Sequence, residues 1–289
     1  MNFLPDHLQP RLSEVFRTAL AQYPWSKALD FSRLRTTDRL VYEALDGEQT
    51  FATCLWNLCF PSMSEATLWH YTSLEALRAI VDSREIWLHS LAKRMGEGEL
   101  STFARAFGFD GYLQEDQTGR RKIDDLAKDL FFLSLTEKTE SGFFQNFGPI
   151  RLRLRVSTTQ ARSELRTIRY AGSDNVSDHP LTLLREIAKQ RLNREFVPWQ
   201  VSRAGAFVLP FLYDDESEVR LLVKRFEGSS DLQIRNSGGF EAIGVPVNRS
   251  AERVSISVLD VQAHSPDAVA GANELLHVVP DWNVKCTLA

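Results

Sequence analysis

A chain of 289 residues with 43% hydrophobic and 25% charged residues is long enough to bury a core and too mixed to be disordered, collagenous or coiled-coil. Its net charge of −4 argues against a surface built throughout to coat nucleic acid, while leaving room for a local basic face. No apolar run approaches the roughly 18 residues of a membrane span, and three cysteines are too few for a disulfide framework or a four-ligand zinc site.

The opening MNFLPDHLQP lacks the basic flank and apolar stretch of a secretory leader, so the expectation is a cytoplasmic protein with no membrane partner. The six histidines never form a His-x-x-x-His pair, and no metal is expected. Leu8, Leu12, Val15, Phe16 and Leu20 make one helical stripe before Pro24. Residues 29–60 read as short helices, so 1–64 is expected to be an N-terminal helical extension of an α+β domain spanning 65–289, the two forming one continuous unit. Leu68-Trp69-His70-Tyr71-Thr72 fits a buried strand. Thr72-Ser73-Leu74-Glu75 then reads as a capping box, opening a helix whose Leu74, Leu77, Ile80 and Val81 face inward. A second strand, Ile86-Trp87-Leu88-His89, follows at once.

Residues 93–123 read as part helix and part loop around Phe103, Phe107 and Phe109, and residues 129–135 as a strand. From Ile150 to Val156 alternation is strict, with Ile150, Leu152, Leu154 and Val156 on one face and Arg151, Arg153 and Arg155 on the other. A helix is predicted after Pro180, apolar runs at 206–213 and 219–226 surround an acidic turn, and strands are predicted at 242–247 and 254–258. Ser265-Pro266-Asp267 opens a last helix with a cap, a proline and an acid in its first turn.

Two features carry chemistry. His70 ends its strand beside a helix start; a histidine between tryptophan and tyrosine is also what a hydrogen-bonded core residue looks like. Glu216-x-Glu218-x-Arg220 puts three charges on one face if extended, either the solvated start of an edge strand or a carboxylate aimed into a cleft. The arginine face, with Arg162, Arg166 and Arg169 beyond it, reads as a solvated surface or as a phosphate contact.

Taken together, Leu68-Trp69-His70-Tyr71-Thr72-Ser73-Leu74-Glu75-Ala76-Leu77, the following Ile86-Trp87-Leu88, and Glu216-x-Glu218-x-Arg220 resemble the uncharacterised bacterial family DUF2971. That family is grouped with the ADP-ribosyltransferase-like folds of the His-Tyr-Glu type. The resemblance covers roughly residues 66–260; His-Tyr-Thr before a helix is moderately specific, Glu-x-Glu-x-Arg alone is weak. It implies a split mixed β-sheet core and NAD as substrate. His70 would hydrogen-bond a ribose hydroxyl, the Tyr71 backbone would hold the nicotinamide carboxamide, and Thr72 would buttress them. Ser134 joins this cofactor-binding set, and Phe143, Phe144 and Phe147 are the rings that would stack on nicotinamide. Glu218 would be catalytic, with Glu216 as the alternative. Arg151, Arg153 and Arg155 would contact the NAD pyrophosphate or a nucleic-acid substrate. Met95-Gly96-Glu97-Gly98-Glu99 departs from the family's Met-Asn-Asp-x-x-Glu, keeping an acid and losing the Asn-Asp pair. The implied activity is NAD-dependent ADP-ribosyl transfer to a protein or nucleic acid by a toxin or phage-defence effector, for which a neutralising antitoxin is a conceivable partner. NAD glycohydrolysis, or non-catalytic nucleotide binding by the same fold, are the alternatives.

Overall fold

The Ile150–Thr158 strand shows how the alternating pattern becomes a core. Ile150, Leu152, Leu154 and Val156 are each fully buried, every one worth about 1.5–3 kcal/mol on burial. Arg153 and Arg155, on the opposite face, are exposed. This strand lies between Glu65–Thr72 and Val254–Ala263, antiparallel to both. The computed structural model describes residues 9–44, 50–159, 163–171, 179–226, 232–250 and 252–289.

The molecule is α+β, built on a curled, open, mixed sheet. Its strand order is Ile234–Ser237, Phe240–Pro246, Glu85–Ser90, Leu130–Thr136, Glu65–Thr72, Ile150–Thr158, Val254–Ala263 and Arg249–Ser250. A fork opens at Leu130–Thr136, hereafter the serine strand. It meets Glu65–Thr72, the histidine strand, at the single pair Trp69/Thr136. Along its whole length it pairs instead with Glu218–Lys224, the glutamate strand, which carries Ser163–Thr167 on its other side. The sheet therefore parts between the histidine and serine strands.

Two hydrophobic cores flank this fork. One, under helices Leu74–Ser83 and Pro266–Leu276, contains Leu68, Leu133, Leu152, Leu221 and Ala272. The other joins Phe16, Phe31, Phe51 and Trp56 of the N-terminal segment to Phe103, Leu184, Phe207 and Leu222. Residues before 65 thus share a core with segments far downstream.

Several expectations need correction. Within 29–60, residues Leu34–Thr36 and Leu40–Glu43 are strands, because Leu40–Glu43 pairs in parallel with the distant Glu195–Val197; the N-terminal extension is not purely helical. Among the described residues of that stretch, only Thr50–Cys59 is an α-helix. The cap of Leu74–Ser83 is Ser73, whose Oγ accepts the Ala76 N–H at 3.1 Å, while Thr72 still belongs to the strand. The apolar run 206–213, for which the sequence predicts no element, holds the short strand Val208–Pro210 and the start of a 3-10 turn, Phe211–Glu216. Leu8 and Arg162 lie outside the described residues.

The predicted helix after Pro180, Pro180–Leu192, is capped by His179. Its Nδ1 accepts the Leu181 N–H at 3.3 Å, which puts the ring proton on Nε2, and Nε2 is buried without a partner. Burial, aided by the charge of Arg169, lowers its pKa from 6.5 to about 3. The folded protein refuses a proton that the unfolded chain accepts. Stability from this group is therefore complete above about pH 6.5 and falls as the pH drops toward 3, by up to about 1.4 kcal/mol per pH unit. His179→Asn retains a capping acceptor and removes the titration. Urea unfolding between about pH 4.5 and 6.5 should show a shallower loss of stability for the variant than for wild type; equal slopes would contradict this account of the cap.

Candidate functional site

The parting of the strands places three polar side chains beside one another. His70 Nδ1 lies 3.0 Å from the Ser134 carbonyl, bridging the gap that backbone pairing leaves open. A carbonyl only accepts, so Nδ1 carries the proton and Nε2 presents a lone pair. Burial holds the imidazole below its ordinary pKa, opposed by the bond to Ser134, and keeps it neutral near pH 7. Ser134 Oγ donates to Glu218 Oε1 at 2.6 Å.

Glu218 belongs to a wider buried network. Arg220 reaches it through Nε at 2.9 Å and Nη2 at 3.2 Å, and holds Glu99 through Nη1 and Nη2 at 2.8 and 3.0 Å. Arg220 and Glu99 are fully buried and Glu218 is 2% exposed. Two carboxylates against one guanidinium leave one negative charge at the base of the cleft. Burial on this scale excludes the reading of this segment as the solvated start of an edge strand.

One cleft is lined by Trp69, His70, Tyr71, Ser134 and Thr136 together with Phe143, Phe147, Glu216 and Glu218; its free space is 80 Å³. Glu216 arrives there differently from the expected extended register. It ends the Phe211–Glu216 turn, and Ser217, at φ 44°, reverses the chain into the glutamate strand. Only Glu218 and Arg220 share a strand face. Thr136 Oγ1 donates to the Glu216 carbonyl at 2.9 Å, fixing that turn. Burial first, and the Glu218 charge second, push the Glu216 carboxyl above its usual range.

The aromatic helix Gly142–Phe147 divides its rings. Phe143 and Phe147 face the cleft, with centroids 5.6 Å apart, and Phe143 lies 5.4 Å from Tyr71. Phe144 is buried, 5.2 Å from both Tyr71 and His264, and serves packing. Gly148 ends this helix at φ 121° against the Thr72 carbonyl, where any Cβ would collide. Thr72 is buried and paired with Ile150, outside the cleft lining.

The arginine face also divides. Arg151 is 7% exposed: its guanidinium donates to Gln262 Oε1 at 2.9 and 2.6 Å and to the Thr139 carbonyl at 2.8 Å, and sits 4.5 Å from the Trp69 ring. Its role is internal, bracing Tyr71, whose hydroxyl it also reaches at 3.2 Å. Arg166 is likewise buried, held by Glu164 at 2.7 Å, rather than part of a basic surface. Arg153 and Arg155 remain free to meet a ligand.

Sequence reasoning left Glu99 without a role and did not single out Tyr170, whose hydroxyl accepts the Glu218 N–H at 2.8 Å. Among the described residues no group of acids, histidines and cysteines could hold a metal ion, and no helix is long and apolar enough to cross a membrane. No protein-family model matches the chain, and neither curated proteins nor solved structures give a match.

Proposed function

We propose that this cleft cleaves the nicotinamide glycosidic bond of NAD and passes the ADP-ribosyl group to a macromolecule, in an ADP-ribosyltransferase-like fold. The observation that carries the reading is the convergence of His70, Ser134 and Glu218, from three strands, on one aromatic-walled cleft. Neutral His70 offers Nε2 to a ribose hydroxyl. The bond from ribose C1′ to the pyridinium nitrogen breaks, its electron pair discharging the ring, so no general acid is needed. The ribose left behind is an oxocarbenium, and the negative charge of the Glu99–Arg220–Glu218 cluster lies where that cation forms. Glu216, whose carboxylate is made more basic by burial and the Glu218 charge, takes the proton of the attacking acceptor group.

The free space of 80 Å³ is that of a few waters at about 30 Å³ each. In this reading the nicotinamide ring enters beside Phe143 and Phe147, of which Phe147 is 42% exposed. The same rings, closing over nicotinamide, would exclude water from the reaction.

Arg153, beside Trp69 at the cleft edge, and Arg155, further along the strand opposite Thr67, are the acceptor contacts this reading favours. Changing both to Ala should weaken nucleic-acid binding and reduce its salt slope by about one unit per lost phosphate contact, with NAD cleavage retained. Arg151→Ala should instead lower the melting temperature and disturb the cleft, because it removes a buried donor shared by Gln262, the Thr139 carbonyl and the Tyr71 hydroxyl. Salt-independent binding in wild type would return Arg153 and Arg155 to solvated surface. The function itself is tested with adenylate-labelled NAD, pure protein and cell lysate. Label in protein or nucleic acid supports transfer, label only in free ADP-ribose makes the protein a glycohydrolase, and unconverted NAD refutes the reading.

A further inference from the structure

The glutamate strand alternates between two environments. Val219, Leu221 and Val223 enter the sheet core, while Leu222 enters the N-terminal core on the same face as Glu218, Arg220 and Lys224. Glu218 begins the strand at the NAD cleft. Lys224 ends it, about 20 Å further along at strand rise, where it lines a second cavity of 490 Å³.

That volume lies within the range of small-molecule sites, about 300–1,000 Å³. The cavity is walled by Tyr42, Tyr112, Trp199 and Leu126, with Lys122 and Lys224 as its two cations. Trp199 is fixed in place: its Nε1 donates to the Glu43 carbonyl at 2.8 Å, and its carbonyl accepts from Trp56 Nε1 at 2.7 Å. With the polar edge of the indole occupied, its face is available for stacking. The next residue, Gln200, holds φ 64°, a left-handed conformation costly for a side-chain-bearing residue and characteristic of shaped sites.

Neither lysine has a carboxylate partner among the described residues. Lys122 Nζ lies 4.8 Å over the Tyr112 ring and Lys224 Nζ 5.3 Å over the Phe226 ring. Lys224 is half-buried, and burial together with the nearby Arg203 charge holds its pKa below the ordinary value. The Lys224 ammonium is partly removed from water with a ring face as its contact, Asp129 and Glu164 acting on it only from a distance, and this is a cost to the empty protein. Aromatic side chains and two lysines with no carboxylate in contact among the described residues, the exposed Lys122 over Tyr112 and the half-buried Lys224, define the ligand the cavity suits.

We propose that this cavity binds a small planar aromatic molecule bearing one anionic group, its ring against Trp199, Tyr42 and Tyr112 and its charge between Lys122 and Lys224. The inference is independent of the NAD reading, since neither lysine belongs to that cleft.

The probe is 8-anilinonaphthalene-1-sulfonate, with neutral N-phenyl-1-naphthylamine as its uncharged counterpart. Both should bind saturably by fluorescence titration. Lys122→Gln combined with Lys224→Gln should weaken the sulfonate about tenfold while leaving the neutral dye within about twofold, and the melting temperature should not fall. Leu126→Trp, or Val201→Phe should the first fail to fold, fills the cavity and should abolish binding of both dyes. The proposal is overturned if neither dye binds saturably, if the lysine changes affect both dyes equally or neither, or if the folded filled variant still binds them.

Discussion

Glu218→Gln is expected to slow NAD cleavage by about 100- to 1000-fold, the usual cost of removing one preorganised electrostatic group. The glutamine carbonyl can still accept from Ser134 Oγ and Arg220 Nε, which now reach Oε1 at 2.6 and 2.9 Å. Its amide nitrogen, however, would stand where Oε2 now accepts from Arg220 Nη2 at 3.2 Å, and that contact is lost. Arg220 remains anchored by Glu99 and by the Ala206 carbonyl at 2.6 Å, so the fold is retained. What disappears is the single net negative charge beneath the forming oxocarbenium. A charge that matters in the transition state should change kcat far more than NAD affinity. His70→Ala should differ, weakening NAD binding along with the rate, because on the proposed reading the imidazole would grip ribose in both states. Should Glu218→Gln retain wild-type turnover while Glu216→Gln abolishes it, the two acids have each other's roles.

Arg220→Met should destabilise the protein by about 3–5 kcal/mol in urea unfolding near neutral pH, the range for removing one partner of a buried ion cluster. Methionine approximates the stem of the side chain, but it leaves Glu99 and Glu218 both out of water with no cation in contact, only the more distant charge of Arg94. Much of the cost is the stranded charge and not the lost attraction. Adding Glu99→Gln should therefore recover part of the stability, a coupling that a double-mutant cycle measures directly. Strictly additive effects would mean that Glu99 does not depend on Arg220.

The legible parts of the fold were those written in short periods. Alternation gave Ile150–Thr158, and serine with a following proline and acid gave Pro266–Leu276, whose Ser265 Oγ accepts the Ala268 N–H at 3.3 Å. What escaped was non-local. Residues 41–43 have no strand signature strong enough to override their neighbours; they are extended because Glu195–Val197 supplies a partner. Glu99 looked like a loop acid because its guanidinium lies 121 positions away. Arg151 looked like its neighbours Arg153 and Arg155 until Gln262, on the adjoining strand, was seen to take its guanidinium. At the site, the strand carrying His70 and the pair Glu218/Arg220 were readable, whereas Glu216's approach depends on the left-handed turn at Ser217, which no two-residue period announces.

The most direct test of the central claim is release of free nicotinamide from nicotinamide-labelled NAD by the purified protein, with and without cell lysate. The account predicts release proportional to wild-type protein, falling at least about 100-fold in Glu218→Gln at nearly unchanged NAD affinity. No release by wild type under either condition, or equal release by Glu218→Gln, would contradict it.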